Sequence, residues 1–451
     1  MNTKVNFKNN IYIIMQMGLF TFLFLGTEYL YVDVLSQIFT NDKTVVLAQN
    51  YALGASTIGF LLYPLFYRLL SDHSKKIGLL FVGIVSIIGL ILMSSLFTFV
   101  TGLMLFFMLG ILGSCVYYHS MSMMETNQYL ARIVGISYAF GIILQFVSNN
   151  FIRSEFIQSI LLAISCFILI FLLINNRLTS LQVSEDKQDK KSNTVGIILI
   201  ILVMLMTCMF STLDNAVTLV HAGGHMDIGQ WPRILLALSG LVSGFIFDLH
   251  NRRYMGITIY CIMVLSTICI AILKFAGPFM LGLMTFYLSA GFFAVFFITA
   301  FMEIARYMKI PELWSGMGRA VNNLTAAIIA SPVLTLLSSD SNLSAIILIL
   351  VLFVAVSIVS VNYTVQKNDF IKTKTTEVID EKEKLRRFSE LYSFTDREAE
   401  VFDQLVNTED SIQMIAENIY VSKRTLERYV SAIYEKTGVK SRIGLLNLYN
   451  K

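Results

Sequence analysis

The chain has 451 residues, 56% of them hydrophobic and only 14% charged, against roughly a quarter charged in an average soluble protein. A mean hydropathy of +0.69 excludes an ordinary soluble enzyme, and 34 Phe and 21 Met against five Pro fit lipid-facing helices. The formal net charge of +4 is too small to identify a partner, so the information lies in where the charges fall.

Lys4 and Lys8 precede an apolar stretch beginning at Ile11. It runs about twenty residues, lacks a small-residue cleavage site and is followed by further spans, which predicts an uncleaved first helix rather than a signal peptide. A spanning helix needs about twenty mostly apolar residues. About twelve segments qualify: 11–31, 45–70, 77–97, 102–124, 132–150, 156–174, 195–219, 231–249, 254–273, 278–302, 314–337 and 343–362. The boundaries near Phe99 and Trp314 are the least marked. An even count puts both termini on one side, and Lys and Arg concentrate on the cytoplasmic side of membrane proteins. With the N-terminus inside, Lys4, Lys8, Arg68, Lys75, Lys76, Arg132, Arg177, Lys187, Lys190, Lys191, Arg252, Arg253, Arg306 and Lys309 are cytoplasmic. Only Lys43, Arg153, Arg233 and Lys274 then lie outside.

The polar stretch 175–194 divides the membrane part, 1–362, into halves 1–174 and 195–362. The halves echo each other. SDHSKK follows the second span and GFIFDLHNRR ends the eighth, each setting an aspartate, Asp72 or Asp248, just before a basic cluster that in the second half is Arg252 and Arg253. Glu125 and Arg132 are separated by six residues after the fourth span, and Glu312 and Arg319 repeat that spacing after the tenth. Carboxylates paired with basic groups of neighbouring loops can hold two bundles together in one state and release them in another. The same residues would also serve as plain topology-setting charges.

On these loops the sequence resembles the major facilitator superfamily. GFIFDLHNRR matches its cytoplasmic Gly-x-x-x-Asp-x-x-Gly-Arg-Arg loop, with Asn251 in place of the second Gly. The first copy departs further, with Arg68 where the Gly should be and Lys75 and Lys76 a residue early. The resemblance covers roughly 11–362 and implies two six-helix bundles around a central site.

Ionisable residues inside spans are functional candidates, because burying them in a bilayer is costly. Glu28 in the first span and Asp214 in the seventh occupy similar depths in the first helix of each half, and Asp214 sits in the polar patch STLDN. Gln145, Asn322 and Asn323 could line the same cavity, so these five are the candidate ligand-sensing residues. Glu28 could also be an interfacial residue, since Asp33 and Asp42 follow closely. His221, His225 and Asp227 fall in an external loop, where Gly223 and Gly224 oppose the helix that a metal site would need. The five cysteines (115, 166, 208, 261 and 269) lie in apolar runs without a CxxC pair, so neither disulfides nor zinc is expected.

From Tyr363 the apolar runs stop. Residues 363–391 read as a mixed-charge linker in which a short helical stalk could form. In the last sixty residues, Thr395 and Glu398 make a capping box that opens a helix with Val401, Phe402 and Leu405 inside. A second helix carries Ile412, Ile415, Ala416 and Ile419. Ser422 then caps a third that buries Leu426, Val430 and Ile433, and SRIGLLNLY forms a fourth.

This pattern closely resembles the LuxR/NarL-type helix-turn-helix domain. Phe394, Thr395, Arg397, Glu398, Glu400, Val401, Ile415, Ala416, Ser422, Thr425, Leu426, Ile433, Lys436, Gly438, Val439 and Arg442 fit its consensus, spread over 392–451. The resemblance implies that the third helix enters the major groove. It assigns DNA contacts to Lys423, Arg424, Thr425, Glu427, Arg428, Ser431, Lys436, Lys440 and Arg442. Glu427 and Tyr429 depart from the usual Lys and His. Residues 392–451 hold eight Lys or Arg against nine Asp or Glu, so affinity from counterion release should be modest.

The sequence therefore predicts an all-α protein: a polytopic membrane domain of about twelve helices in two six-helix bundles, plus a small four-helix helix-turn-helix domain. No catalytic constellation or nucleotide-binding loop is present, so neither an enzyme nor a cofactor is expected. The expected role is a one-component regulator in a bacterial inner membrane, both termini cytoplasmic, with promoter DNA, the lipid bilayer and an unknown small molecule as partners. Leu445, Leu446 and Leu448 of the last helix offer a surface for a homodimer. The alternative is a secondary transporter with a regulatory DNA-binding domain.

Overall fold

The computed structural model describes residues 2–92, 97–124, 129–175, 190–224, 231–276, 279–337, 342–408 and 410–449. Glu125, His225, Asp227, the central stretch 176–189 and the side chain of Asp72 lie outside the described residues. The chain divides into two compact units, 1–367 and 368–451.

The first six long helices of unit one are α1 (Asn2–Ile38), α2 (Asp42–Leu69), α3 (Asp72–Ile91), α4 (Thr98–Met123), α5 (Leu130–Phe151) and α6 (Glu155–Asn175). Asn41 and Ser71 start α2 and α3 by accepting hydrogen bonds from the Lys43 and Ser74 amides, which removes orphan donors at each N-terminus. Then come α7 (Lys190–Ala222), α8 (Arg233–Phe247), α9 (Met255–Ala276), α10 (Phe279–Ala305), the single turn α11 (Pro311–Trp314), α12 (Met317–Leu337) and α13 (Asn342–Leu391). Within the first set α1 packs on α4, α5 and α6, α2 on α4, and α3 on α4 and α6; within the second, α10 packs on α8, α9 and α12, and α7 on α12. The two sets meet where α5 lies against α8 and α2 against α12 and α7.

Glycines make the tightest of these meetings. A Cβ on Gly135 of α5 would sit 2.6 Å from the Gly240 carbonyl oxygen and 2.9 Å from Gly244 Cα in α8, and one on Gly110 of α4 would lie 2.0 Å from the Ser56 carbonyl oxygen in α2. Lipid gives no hydrophobic drive between helices, so association leans on such close backbone packing.

Nine helices among the described residues are long and apolar enough to cross a membrane. Two helices outside that set depart from the usual span. At 15 residues α8 is short, about 22 Å at 1.5 Å per residue, and α12 carries Arg319, Asn322 and Asn323. Trp314 closes the separate turn α11, which starts on Pro311. Between α8 and α9, His250, Asn251 and Arg252 have φ of 50°, 54° and 62°. Asn tolerates the left-handed region better than most residues, so a turn built on Asn251 needs no glycine there.

The stretch 363–391, expected as a linker, is helical and belongs to α13. Its last turns contribute to the core of unit two. There Phe388 stacks on Phe402 at 4.8 Å and meets the Tyr449 ring edge-on at 5.4 Å. The rest of unit two is α14 (Asp396–Asn407), α15 (Ile412–Asn418), α16 (Lys423–Thr437) and α17 (Arg442–Tyr449). Val401, Leu405, Ile415, Leu426, Ile433 and Leu445 are fully buried between them. Capping residues Thr395, Ser411 and Ser422 and a left-handed Gly438 at φ 71° set the helix ends.

Candidate functional site

A cavity of about 170 Å³ lies between the two sets of membrane helices. Its wall includes Glu28, Tyr29 and Gln49 from α1 and α2, Tyr138 from α5, Thr207, Asp214 and His221 from α7, Arg233 from α8, Phe293 and Phe297 from α10, and Arg319, Asn322 and Asn323 from α12. Four of the five sequence-predicted sensing residues, Glu28, Asp214, Asn322 and Asn323, are therefore brought together. The fifth, Gln145, is fully buried behind them. It donates from Nε2 to the Leu25 carbonyl at 2.8 Å and accepts from Arg233 Nε at 3.2 Å.

Most of these polar groups are held. Gln49 Nε2 donates to Glu28 Oε1 at 2.7 Å, Thr207 Oγ1 donates to Asn322 Oδ1 at 3.2 Å, and Asn323 Nδ2 donates to Ser56 Oγ at 2.8 Å. The last two bonds fix α12 to α7 and to α2. His221 ends α7 rather than occupying an external loop; its Nε2 lies 3.0 Å from Asp33 Oδ1 and its ring lies against Tyr29. Asn50 Nδ2 donates to Asn215 Oδ1 at 2.9 Å, so α1 and α2 are joined to α7 at this end of the cavity.

At the opposite end the halves meet again. Asp248, after α8, accepts the Ala131 and Arg132 amides at 3.2 and 2.8 Å, a carboxylate on the N-terminus of α5 where the helix dipole favours negative charge. Arg252 donates to Asp248 Oδ1 from Nη1 and to Glu303 Oε1 from Nε, both at 2.9 Å, and Lys367 Nζ lies 2.7 Å from Glu303 Oε2. Arg68 Nη2 reaches Glu312 Oε2 at 3.3 Å, and Arg306 Nη2 donates to the Met121 and Met124 carbonyls at 2.9 Å. Asp248, Arg252 and Glu312, predicted from the loops, thus sit in interhelical charge contacts. Arg132 adds a 3.9 Å approach to Asp248 and ring contacts with Tyr129 and Phe245, and Arg253 lies over Tyr254.

Arg319 departs from its expected place. The Glu-x6-Arg spacing grouped it with the gate loops, although the predicted span 314–337 contained it; it lies in α12 and on the cavity wall. Sequence reasoning also missed Arg233, expected outside, and the roles of Glu303, Arg306 and Lys367. Arg233 and Arg319 had one available signal, a lone arginine at the start of an apolar run. The contacts of Lys367 had none, because they are set by packing across 64 residues of chain.

In unit two, α16 buries Leu426, Val430 and Ile433 on one face and exposes Lys423, Arg424, Glu427, Arg428 and Ser431 on the other. Thr425 is half-buried and hydrogen-bonds the Ser422 hydroxyl at 2.7 Å. Lys440 is exposed after the helix. Two expected DNA contacts have structural employment instead. Lys436 Nζ lies 2.6 Å from Glu398 Oε2 and 2.9 Å from the Ser393 carbonyl oxygen. Arg442 donates to the carbonyls of Leu405 at 2.8 Å, Asp410 at 2.6 Å and Thr408, closing the end of α14 over the start of α15. Tyr420 stands 95% exposed in the turn before α16 with φ 57°.

Residues 392–448 match the family described as bacterial regulatory proteins, luxR family. No curated protein sequence matches the chain. The fold is similar to that of the major facilitator superfamily transporter FucP in its outward conformation, with a TM-score of 0.56 and 12% identity over 80% of this chain and 99% of that one. It is also similar to the proton:xylose symporter XylE bound to 6-bromo-6-deoxy-D-glucose, at 0.55 and 13% over 82% and 97%. A bacterial homologue of the iron transporter ferroportin in an outward-facing state gives 0.52 and 16% over 79% and 99%. The chain thus joins a LuxR-type helix-turn-helix domain to a membrane domain of the major facilitator fold.

Proposed function

We propose that the chain is a membrane-bound one-component transcriptional regulator, in which ligand binding in the bundle controls DNA binding by the helix-turn-helix domain. The observation that carries this reading is the exposed face of α16, where Lys423, Arg424 and Arg428 project from a helix whose opposite face is fully committed to the core. Lys and Arg at such positions supply the donors that phosphates and base edges require. The membrane domain takes the sensor's place, its ligand held in the cavity of Glu28, Asp214, Asn322 and Asn323. Helix α13 carries both Lys367, bound to Glu303, and Phe388 of the second core, so it is the element through which the bundle acts. The bias of Lys and Arg along the sequence supports an inner-membrane location with both termini cytoplasmic, and the partly exposed Leu446 and Leu448 support pairing of two domains across two half-sites, Leu445 being buried in the core.

The test is a mobility shift of genomic fragments with the full chain in lipid nanodiscs. Salt-sensitive binding that Arg424→Ala with Arg428→Ala abolishes is expected; binding indifferent to those changes would remove the reading. The carboxylates Glu28 and Asp214 on the cavity wall favour a second reading, a proton-coupled transporter as the symporter XylE is, with the DNA-binding domain reporting on flux. Proton flux across proteoliposomes, abolished by Asp214→Asn, would establish it, and its absence would leave the pure sensor.

A further inference from the structure

Arg319 is a buried cation with no carboxylate in direct contact, the charge of Glu28 on the same wall acting on it only at longer range. It is 7% exposed and lies on the cavity wall. Its guanidinium is centred 5.2 Å from the ring of Phe24 on α1 and 5.2 Å from that of Phe297 on α10, so a ring from each half of the bundle fixes its plane. Its Nε is buried and has no hydrogen-bond partner among the described residues, and among those residues no carboxylate lies within 4.0 Å of it. A buried charge left without such partners is strongly destabilising. A guanidinium offers five donors in a rigid fork that matches a carboxylate bidentately.

The rest of the cavity narrows the class of anion. The other arginine on the wall, Arg233, already donates from Nε to Gln145, whereas the Nε of Arg319 is unpartnered among the described residues, so Arg319 is the guanidinium better placed for a ligand. Glu28 and Asp214 face the same space, and their charge opposes a dianion such as a phosphate ester. Phe210 and Phe293 stack at 4.7 Å on the wall, beside Phe297, which suits a flat apolar body. The volume of about 170 Å³ lies below the range of roughly 300–1,000 Å³ that takes drug-sized ligands. We propose that this cavity binds a small organic monocarboxylate with a flat, apolar body, its carboxylate held by Arg319; this rests on reading the cavity as the sensor's ligand site.

The full chain in nanodiscs is titrated calorimetrically with benzoate and phenylacetate and, in parallel, with benzamide and phenylacetamide. Binding of an acid but not of its amide is expected, weakened about ten- to a hundredfold in Arg319→Gln, the loss of a charge-assisted pair, and less in Arg319→Lys. Equal binding of acid and amide, or no binding of either acid, would each overturn the proposal. If the acids bind through Arg319 and leave DNA affinity unchanged, the carboxylate site stands and the sensor reading falls.

Discussion

Glu398 accepts from the Thr395 amide at 2.7 Å, the Thr395 hydroxyl at 3.0 Å and Lys436 Nζ at 2.6 Å. Burial alone would raise its carboxyl, but the Lys436 bond and then the Thr395 bonds outweigh that and hold it below the usual carboxylate range. A carboxylate with a lowered folded-state value stabilises fully above its unfolded value and loses that contribution as pH falls through the folded one. The acid limb of unfolding of 368–451 should therefore flatten in Glu398→Gln, whose melting temperature should also fall at neutral pH; an unchanged limb would contradict the linkage. Tyr420, at φ 57°, carries the strain of a left-handed non-glycine residue. In thermal melts of the same unit, Tyr420→Gly should gain about 0.5–1 kcal/mol, the relief net of glycine's backbone entropy. The capping box was legible in the sequence because its partners are three residues apart. The structural use of Lys436 and Arg442 was not, since their acceptors lie 38 residues away for Glu398 and 32 to 37 for the carbonyls, and a basic residue beside a recognition helix reads as a DNA contact.

Among the elements, hydropathy placed the long helices well because each must satisfy its own backbone in lipid. The span read from 314 already contained Arg319, but hydropathy did not show that its side chain lines the cavity, which follows from the packing of α12 on α2 and α7. Hydropathy failed at α13, where charges replace the apolar run at Tyr363 but the helix continues to Leu391, since straight-chain Lys, Glu and Gln are good helix formers. Glu303 holds both Arg252 and Lys367. Glu303→Ala takes the carboxylate from buried Lys367 and leaves Arg252 with Asp248, and should cost about 3–5 kcal/mol in thermal denaturation of the full chain. If α13 transmits the state of the bundle, the milder Glu303→Gln should alter the DNA affinity of the full chain while the affinity of 368–451 by itself stays as it was.

For the whole molecule, what the sequence carried was the division of labour, an apolar bundle followed by a helix-turn-helix domain. The cavity itself came only from helices distant in the chain packing together. Eight basic residues against nine acidic ones in 392–451, with Lys436 and Arg442 occupied internally, leave few side chains to neutralise phosphates. With about three such contacts per domain, the slope of log affinity against log salt should be about −3 per domain; a slope near −10 would imply a basic surface that this domain lacks. The most direct measurement of the central claim is chromatin immunoprecipitation of the full chain from intact cells, beside Arg424→Ala with Arg428→Ala at equal membrane abundance. The account predicts discrete enriched promoter fragments for the native chain and their loss in the double variant. No enrichment, or the same fragments from both proteins, would contradict it.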